Sequence, residues 1–301
     1  SKYCSGNDNG NVWEYYDNSR ILCLNDGGTF DLSTTEPVEC KISSAATITG
    51  GTFNGAVENI VGTISGGIFN GTVTNASTGK ISGGTFAGSV TNDGTIENGT
   101  FEGEVKNYRT ISGGTFESTC SVINEKAITG GKFECAVTND AGGTISDGTF
   151  NATVTNNDRG KITDGTFNGT VTNNVGTISG GTFQSTGRVE NWSTIEKGTF
   201  NGTVINNATG YITGGTFKGT VLNGSGVIKG GTFAAGLSEE QGIIFYGVFN
   251  GKTGLADDAL HVTVTNGSVL KVNGEGPRNA DGTEDTAGAW NIYSYEGTTV
   301  T

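Results

Sequence analysis

One repeat constrains this chain more than any other feature. Written generally it is Ile-x4-Phe-x3-Val-x-Asn, with Gly-Gly or Asp-Gly between the isoleucine and the phenylalanine. The isoleucines are Ile48, Ile64, Ile81, Ile96, Ile111, Ile128, Ile145, Ile162, Ile178, Ile195, Ile212 and Ile228, and a phenylalanine follows each of them five residues later, from Phe53 to Phe233. Valine comes four residues after most of these phenylalanines, and six after at Val122 and Val189. Two beyond each such valine stands an asparagine: Asn59, Asn75, Asn92, Asn107, Asn124, Asn139, Asn156, Asn173, Asn191, Asn206 and Asn223. A degenerate copy follows at Ile244 and Phe249. Short periods of this kind signify stacked coils, each unable to bury its apolar face alone.

The repeat is 15 to 17 residues long, and most length changes fall between asparagine and the next isoleucine. That is the behaviour of a solvent-facing corner between rungs held by their neighbours. Apolar residues sit at even offsets in Phe-Asn-Gly-Thr-Val-Thr-Asn, the period of a strand buried on one face. The sequence therefore predicts an all-β, single-stranded parallel β-solenoid of about twelve regular coils, capped at both ends. Stacked about 4.8 Å apart, Ile should cover Ile, Phe cover Phe and Val cover Val. An inward asparagine must be paired, so the column is expected to form a structural amide ladder, with Asn75, Asn92, Asn139, Asn156, Asn173 and Asn206 among its rungs.

Composition matters here because it points the other way. Fifty-three glycines and only 33% hydrophobic residues suggest low complexity, but a solenoid needs only a thin core. A net charge of −13 disfavours nucleic acid and anionic membrane surfaces, and no apolar run has the length of a span. The chain has no methionine and begins at Ser1, which reads as a processed chain or an excised piece. Of five cysteines, Cys4, Cys23 and Cys40 fall near the N-terminus, where a disulfide would tie down a cap. Cys120 and Cys135 each precede a column valine by two and should be stacked neighbours, as a buried thiol pair or a disulfide.

Three stretches follow. Residues 1–46 are expected to form an N-terminal cap, with a partial coil at Gly27-Gly28-Thr29-Phe30; residues 47–237 the regular solenoid; and residues 238–301 irregular coils, a cap or the start of a further module.

Little in the pattern suggests chemistry. The one histidine, His261, lies outside the regular repeat. Acidic residues project at Glu102, Glu104, Glu117 and Glu134, which reads as an exposed acidic face, and Asp147 and Asp164 at corners leave room for weak divalent binding. No catalytic, metal or cofactor residues are assigned. Tyr108 and Trp192 directly follow ladder asparagines and Tyr211 precedes a ladder isoleucine, so these rings are candidates for stacking on sugars. The expanded coils at Phe116–Val122 and Phe183–Val189 can carry a loop site. Pairs of outward threonines (Thr72 and Thr74, Thr153 and Thr155, Thr170 and Thr172), with a second threonine column before phenylalanine (Thr52 to Thr232), resemble the arrays of ice-binding proteins, but Glu104, Lys106, Ile205 and Leu222 interrupt the pairs.

The copies of Ile-Ser-Gly-Gly-Thr-Phe-x-Gly-x-Val-x-Asn, over about two-thirds of the chain, resemble the arrays of bacterial cell-surface β-helix proteins of the adhesin type. The resemblance implies a secreted or cell-surface protein without enzymatic activity that displays or spaces a binding surface, with glycans as a partner class. The alternatives are an ice-binding solenoid and a stalk or filament subunit that self-associates through its ends.

Overall fold

A computed structural model describes residues 39–42 and 45–233 in full, and outside them the backbone of short strands. The chain divides into two compact units, Ser1–Ala152 and Thr153–Thr301. Both have the same construction.

Most coils contribute three short strands. In the first coil of the first unit these are Thr47–Gly50, Thr52–Phe53 and Val57–Asn59. The strands carrying Ile and Phe belong to one sheet and the Val-x-Asn strands to another. The Val-x-Asn strand occurs six times in the first unit and five times in the second. In four coils the Ile and Phe strands merge into one seven-residue strand, as in Ala127–Phe133 and Thr177–Phe183.

Pairing between successive coils is parallel, and along the Val-x-Asn sheet it is in register; the merged strands slip by one residue at Thr129 and at Ser179 and then recover. In the first unit Val57 pairs with Val73, Val73 with Val90 and Val90 with Val105, and each following asparagine with its counterpart. The second unit repeats this from Val154 through Val171, Val189 and Val204 to Val221. Two extra residues do not disturb it: Val105 still meets Val122, and Val171 still meets Val189. A local turn absorbs the insertion, closed by Cys120 N–H to the Glu117 carbonyl at 2.9 Å and by Gly187 N–H to the Gln184 carbonyl at 3.3 Å.

The core is the set of columns expected. Ile, Phe and Val of the repeat are 0–3% exposed throughout, and each such burial is worth roughly 1.5–3 kcal/mol. Neighbouring rings lie nearly parallel, 4.5–4.9 Å between centroids in the first unit and 4.7–4.8 Å in the second. Strand spacing imposes this face-to-face column. The glycine two before each phenylalanine has positive φ, from +95° at Gly51 to +135° at Gly99. At Gly99 a Cβ would also meet the Phe101 ring at 3.1 Å, so both backbone and ring exclude a side chain.

Three findings concern the ends of the repeat. Cys40 pairs with Val57 and Ile42 with Asn59, so the valine and asparagine columns begin one strand earlier than residue 47, under residues of other types. Phe30 pairs with Ile48, which places the partial coil in the isoleucine register and not the phenylalanine one. In the second unit Ile228 pairs with Ile244 and Phe233 with Phe249, so the degenerate copy keeps register. Before the first coil, Lys2–Asp8, Asn11–Tyr16 and Ile21–Asn25 pair antiparallel in turn, and Ile21–Asn25 then pairs in parallel with Glu39–Ile42. The capping role expected of residues 1–46 and 238–301 rests mostly on side chains outside the described residues, where His261, Cys4 and Cys23 also lie.

Candidate functional site

The asparagine column is a hydrogen-bonded ladder. In the first unit Asn59 Nδ2 donates to Asn75 Oδ1 at 2.8 Å, and the same link repeats at 2.7 Å from Asn75 through Asn92, Asn107 and Asn124 to Asn139. In the second it runs from Asn156 through Asn173, Asn191 and Asn206 to Asn223 at 2.7–2.9 Å. The amides also donate to corner carbonyls, as Asn107 does to Ala127 at 3.0 Å and Asn156 to Gly160 at 3.0 Å. All are fully buried. Asn59 Oδ1 has no hydrogen-bond partner because the preceding rung is Ile42, which has no donor to offer.

A second amide row, on the residue after phenylalanine, was not anticipated. Asn70 Nδ2 donates to Asn54 Oδ1 at 2.6 Å, Asn151 to Glu134 Oε1 at 2.9 Å, and Asn201 to Gln184 Oε1 at 3.2 Å. The recurrent Phe-Asn pairs were its signal in the sequence.

The Thr-x-Thr pairs do not form a long face. Along the Val-x-Asn sheet of the first unit the middle position reads Glu58, Thr74, Thr91, Lys106, Ile123, Thr138. In the second it reads Thr155, Thr172, Glu190, Ile205, Leu222. Within each unit these threonine runs end after two rungs, whereas the threonines before phenylalanine form an unbroken row in the second unit, from Thr166 through Thr182, Thr199 and Thr216 to Thr232. Thr72, Thr74 and Thr153 are exposed, whereas Thr155, Thr170 and Thr172 are half-buried.

The candidate rings differ in availability. Tyr108, in the first unit, is 41% exposed and Trp192, in the second, 43%. Beside Tyr108, the Arg109 guanidinium donates to the Ser77 carbonyl, bracing that corner. The Thr209 hydroxyl donates to the Trp192 carbonyl in the same manner. Tyr211 is half-buried, with the Lys229 ammonium 5.1 Å above its ring, so one ring face is already occupied. Corner valines passed over in the sequence are as open: Val61 is 44% exposed and Val175 62%.

The acidic side chains are engaged locally. Glu134 lies 2.8 Å from Lys132 and accepts from Asn151, and these partners, Lys132 first, hold its carboxyl below the usual range while Lys132 is raised. Glu104 pairs with Lys106 at 3.3 Å and Glu97 with Lys80 at 2.7 Å. Asp147 and Asp164 each use a carboxylate oxygen on the following glycine N–H, at 2.7 and 2.8 Å, which accounts for Asp-Gly in place of Gly-Gly. Among the described residues no cluster of three metal-ligating side chains occurs. Around the expanded coil at Gln184, Gly187 and Arg188, a crevice has no room for a water-sized molecule.

Cys120 and Cys135 are buried thiols and unbridged, so the disulfide alternative does not hold here. The Cys120 thiol donates to the Ser121 carbonyl at 3.5 Å.

The in-register columns define the class: a parallel β-solenoid of ladder-stacked coils. No family model, curated protein or solved structure matches this chain.

Proposed function

We propose that the chain is a non-enzymatic display module of a secreted or cell-surface protein, of the adhesin type, with glycans as its ligand class. One observation carries this reading: the interior is constant from coil to coil while the exterior at a single register position passes from Thr91 to Lys106 to Ile123. Such a division lets surface residues change without touching the columns that hold the fold. Exposed rings at Tyr108 and Trp192, set on braced corners, offer flat apolar faces beside amide and hydroxyl groups, which suits a sugar ring. The charge of −13 favours neutral or basic partners over nucleic acid. The Thr-x-Thr pairs, broken along their own sheet, weigh against ice binding there.

The test is a glycan array probed with the intact chain, with Trp192→Ala and with Tyr108→Ala. Specific binding that falls at least tenfold in one variant, with its circular dichroism unchanged, supports the display reading. An array without specific binding overturns the glycan assignment and leaves a spacer or stalk role.

A further inference from the structure

The small-residue column between phenylalanine and valine holds one exception that the display reading does not use. In the first unit this position is Gly55, Gly71, Gly88 and Gly103, then Cys120 and Cys135, then Ala152. The glycines are required. A Cβ on Gly71 would lie 2.1 Å from the Gly55 carbonyl oxygen, one on Gly88 2.1 Å from that of Gly71, and one on Gly103 2.5 Å from that of Gly88. A position held by glycine in the four preceding coils thus takes a reactive side chain in two successive ones, before alanine follows.

The two cysteines are consecutive rungs. Ser121 pairs with Ala136 and Val122 with Val137, so the residues just before them face each other across the same parallel pair. Parallel neighbours lie about 4.8 Å apart, inside the roughly 4.4–6.8 Å Cα range that a disulfide spans. Both side chains are buried, 6% and 3% exposed.

We infer that Cys120 and Cys135 are a modification site: an adjacent-coil dithiol that hydrogen peroxide closes to a disulfide. The roles of the two sulfurs are unequal. The Cys120 thiol proton is held on the Ser121 carbonyl at 3.5 Å, so Cys135, as its thiolate, is the attacking sulfur. It displaces hydroxide from the peroxide: an S–O bond forms, the O–O bond breaks, and the hydroxide leaves as water with the Cys135 proton. The Cys120 sulfur then attacks the resulting sulfenic acid. The S–S bond forms, the S–O bond breaks, and a second water carries off the Cys120 proton. Two thiols lose two electrons to one peroxide, which becomes two waters. The product staples one coil of the first unit to the next.

Trypsin reads the outcome directly, because Lys126 and Lys132 separate the cysteines into peptides 110–126 and 133–159. The folded full chain is treated with hydrogen peroxide, unfolded in urea, alkylated with iodoacetamide and digested. The expected product is the two peptides joined, two hydrogens lighter than their sum and released by dithiothreitol. With Cys120→Ser, dimedone should label Cys135; with Cys135→Ser, Cys120 should be recovered alkylated. Recovery of both peptides alkylated after peroxide would overturn the proposal. So would irreversible oxidation of Cys135 without a linked pair, or a linked pair formed only in the urea-unfolded chain.

Discussion

At the scale of the residue, asparagine and glycine decide this structure more than the apolar residues do. Many apolar side chains fill a column, but only a short amide can accept from one coil, donate to the next and still reach a corner carbonyl. Asn107 does all three: it accepts from Asn92 at 2.7 Å and donates to Asn124 at 2.7 Å and Ala127 at 3.0 Å. Asn107→Ala leaves the Asn124 oxygen and the Ala127 carbonyl without this donor inside a dry core. We expect a loss of about 2–4 kcal/mol, from the usual cost of buried unsatisfied groups, read by chemical denaturation; a change near zero would mean the ladder holds nothing. This column was legible because the same amide recurs at a fixed distance from valine. Its first position was not, because Cys40 and Ile42 keep the register without the residue types that mark it. The orphan Asn59 oxygen records that break.

The element is the coil, and its neighbours set its stability more than its own sequence does. Fifteen-, sixteen- and seventeen-residue coils stack in one register because corners absorb the difference, through turns that place Ala141 and Arg159 at positive φ. Removing one whole coil should therefore be tolerated. Deleting 76–92 joins Asn75 to Asp93 across a corner of the kind Asn92 already makes, and brings Val73 over Val105. We expect a cooperative thermal transition and a β-type circular dichroism spectrum in this deletion, and neither after deleting 76–83, which removes Ile81 and breaks the period. Equal tolerance of both deletions would contradict a register-locked stack. Coil architecture was readable because periodicity fixes it. The exterior was less so: Thr-x-Thr pairs announce a row only if neighbouring coils agree, and at Lys106 and Glu190 they do not. Ring availability was likewise hidden, since Tyr211 meets Lys229 only through stacking of one coil on the next.

For the whole molecule, an invariant interior meets a variable, acidic exterior, and the proposed display role rests on that contrast. In a stack of this kind, distance along a unit grows by the coil and not by the residue. Nitroxide labels carried by a non-cysteine unnatural residue, placed at Glu58 and Ile123 and then at Glu58 and Thr138, test this within the first unit. Four and five register steps separate these pairs. Pulsed electron spin resonance should give narrow distributions whose centres differ by one strand spacing, about 19 and 24 Å at about 4.8 Å per step. Broad distributions, or a difference larger than one spacing, would contradict the stacked, in-register solenoid.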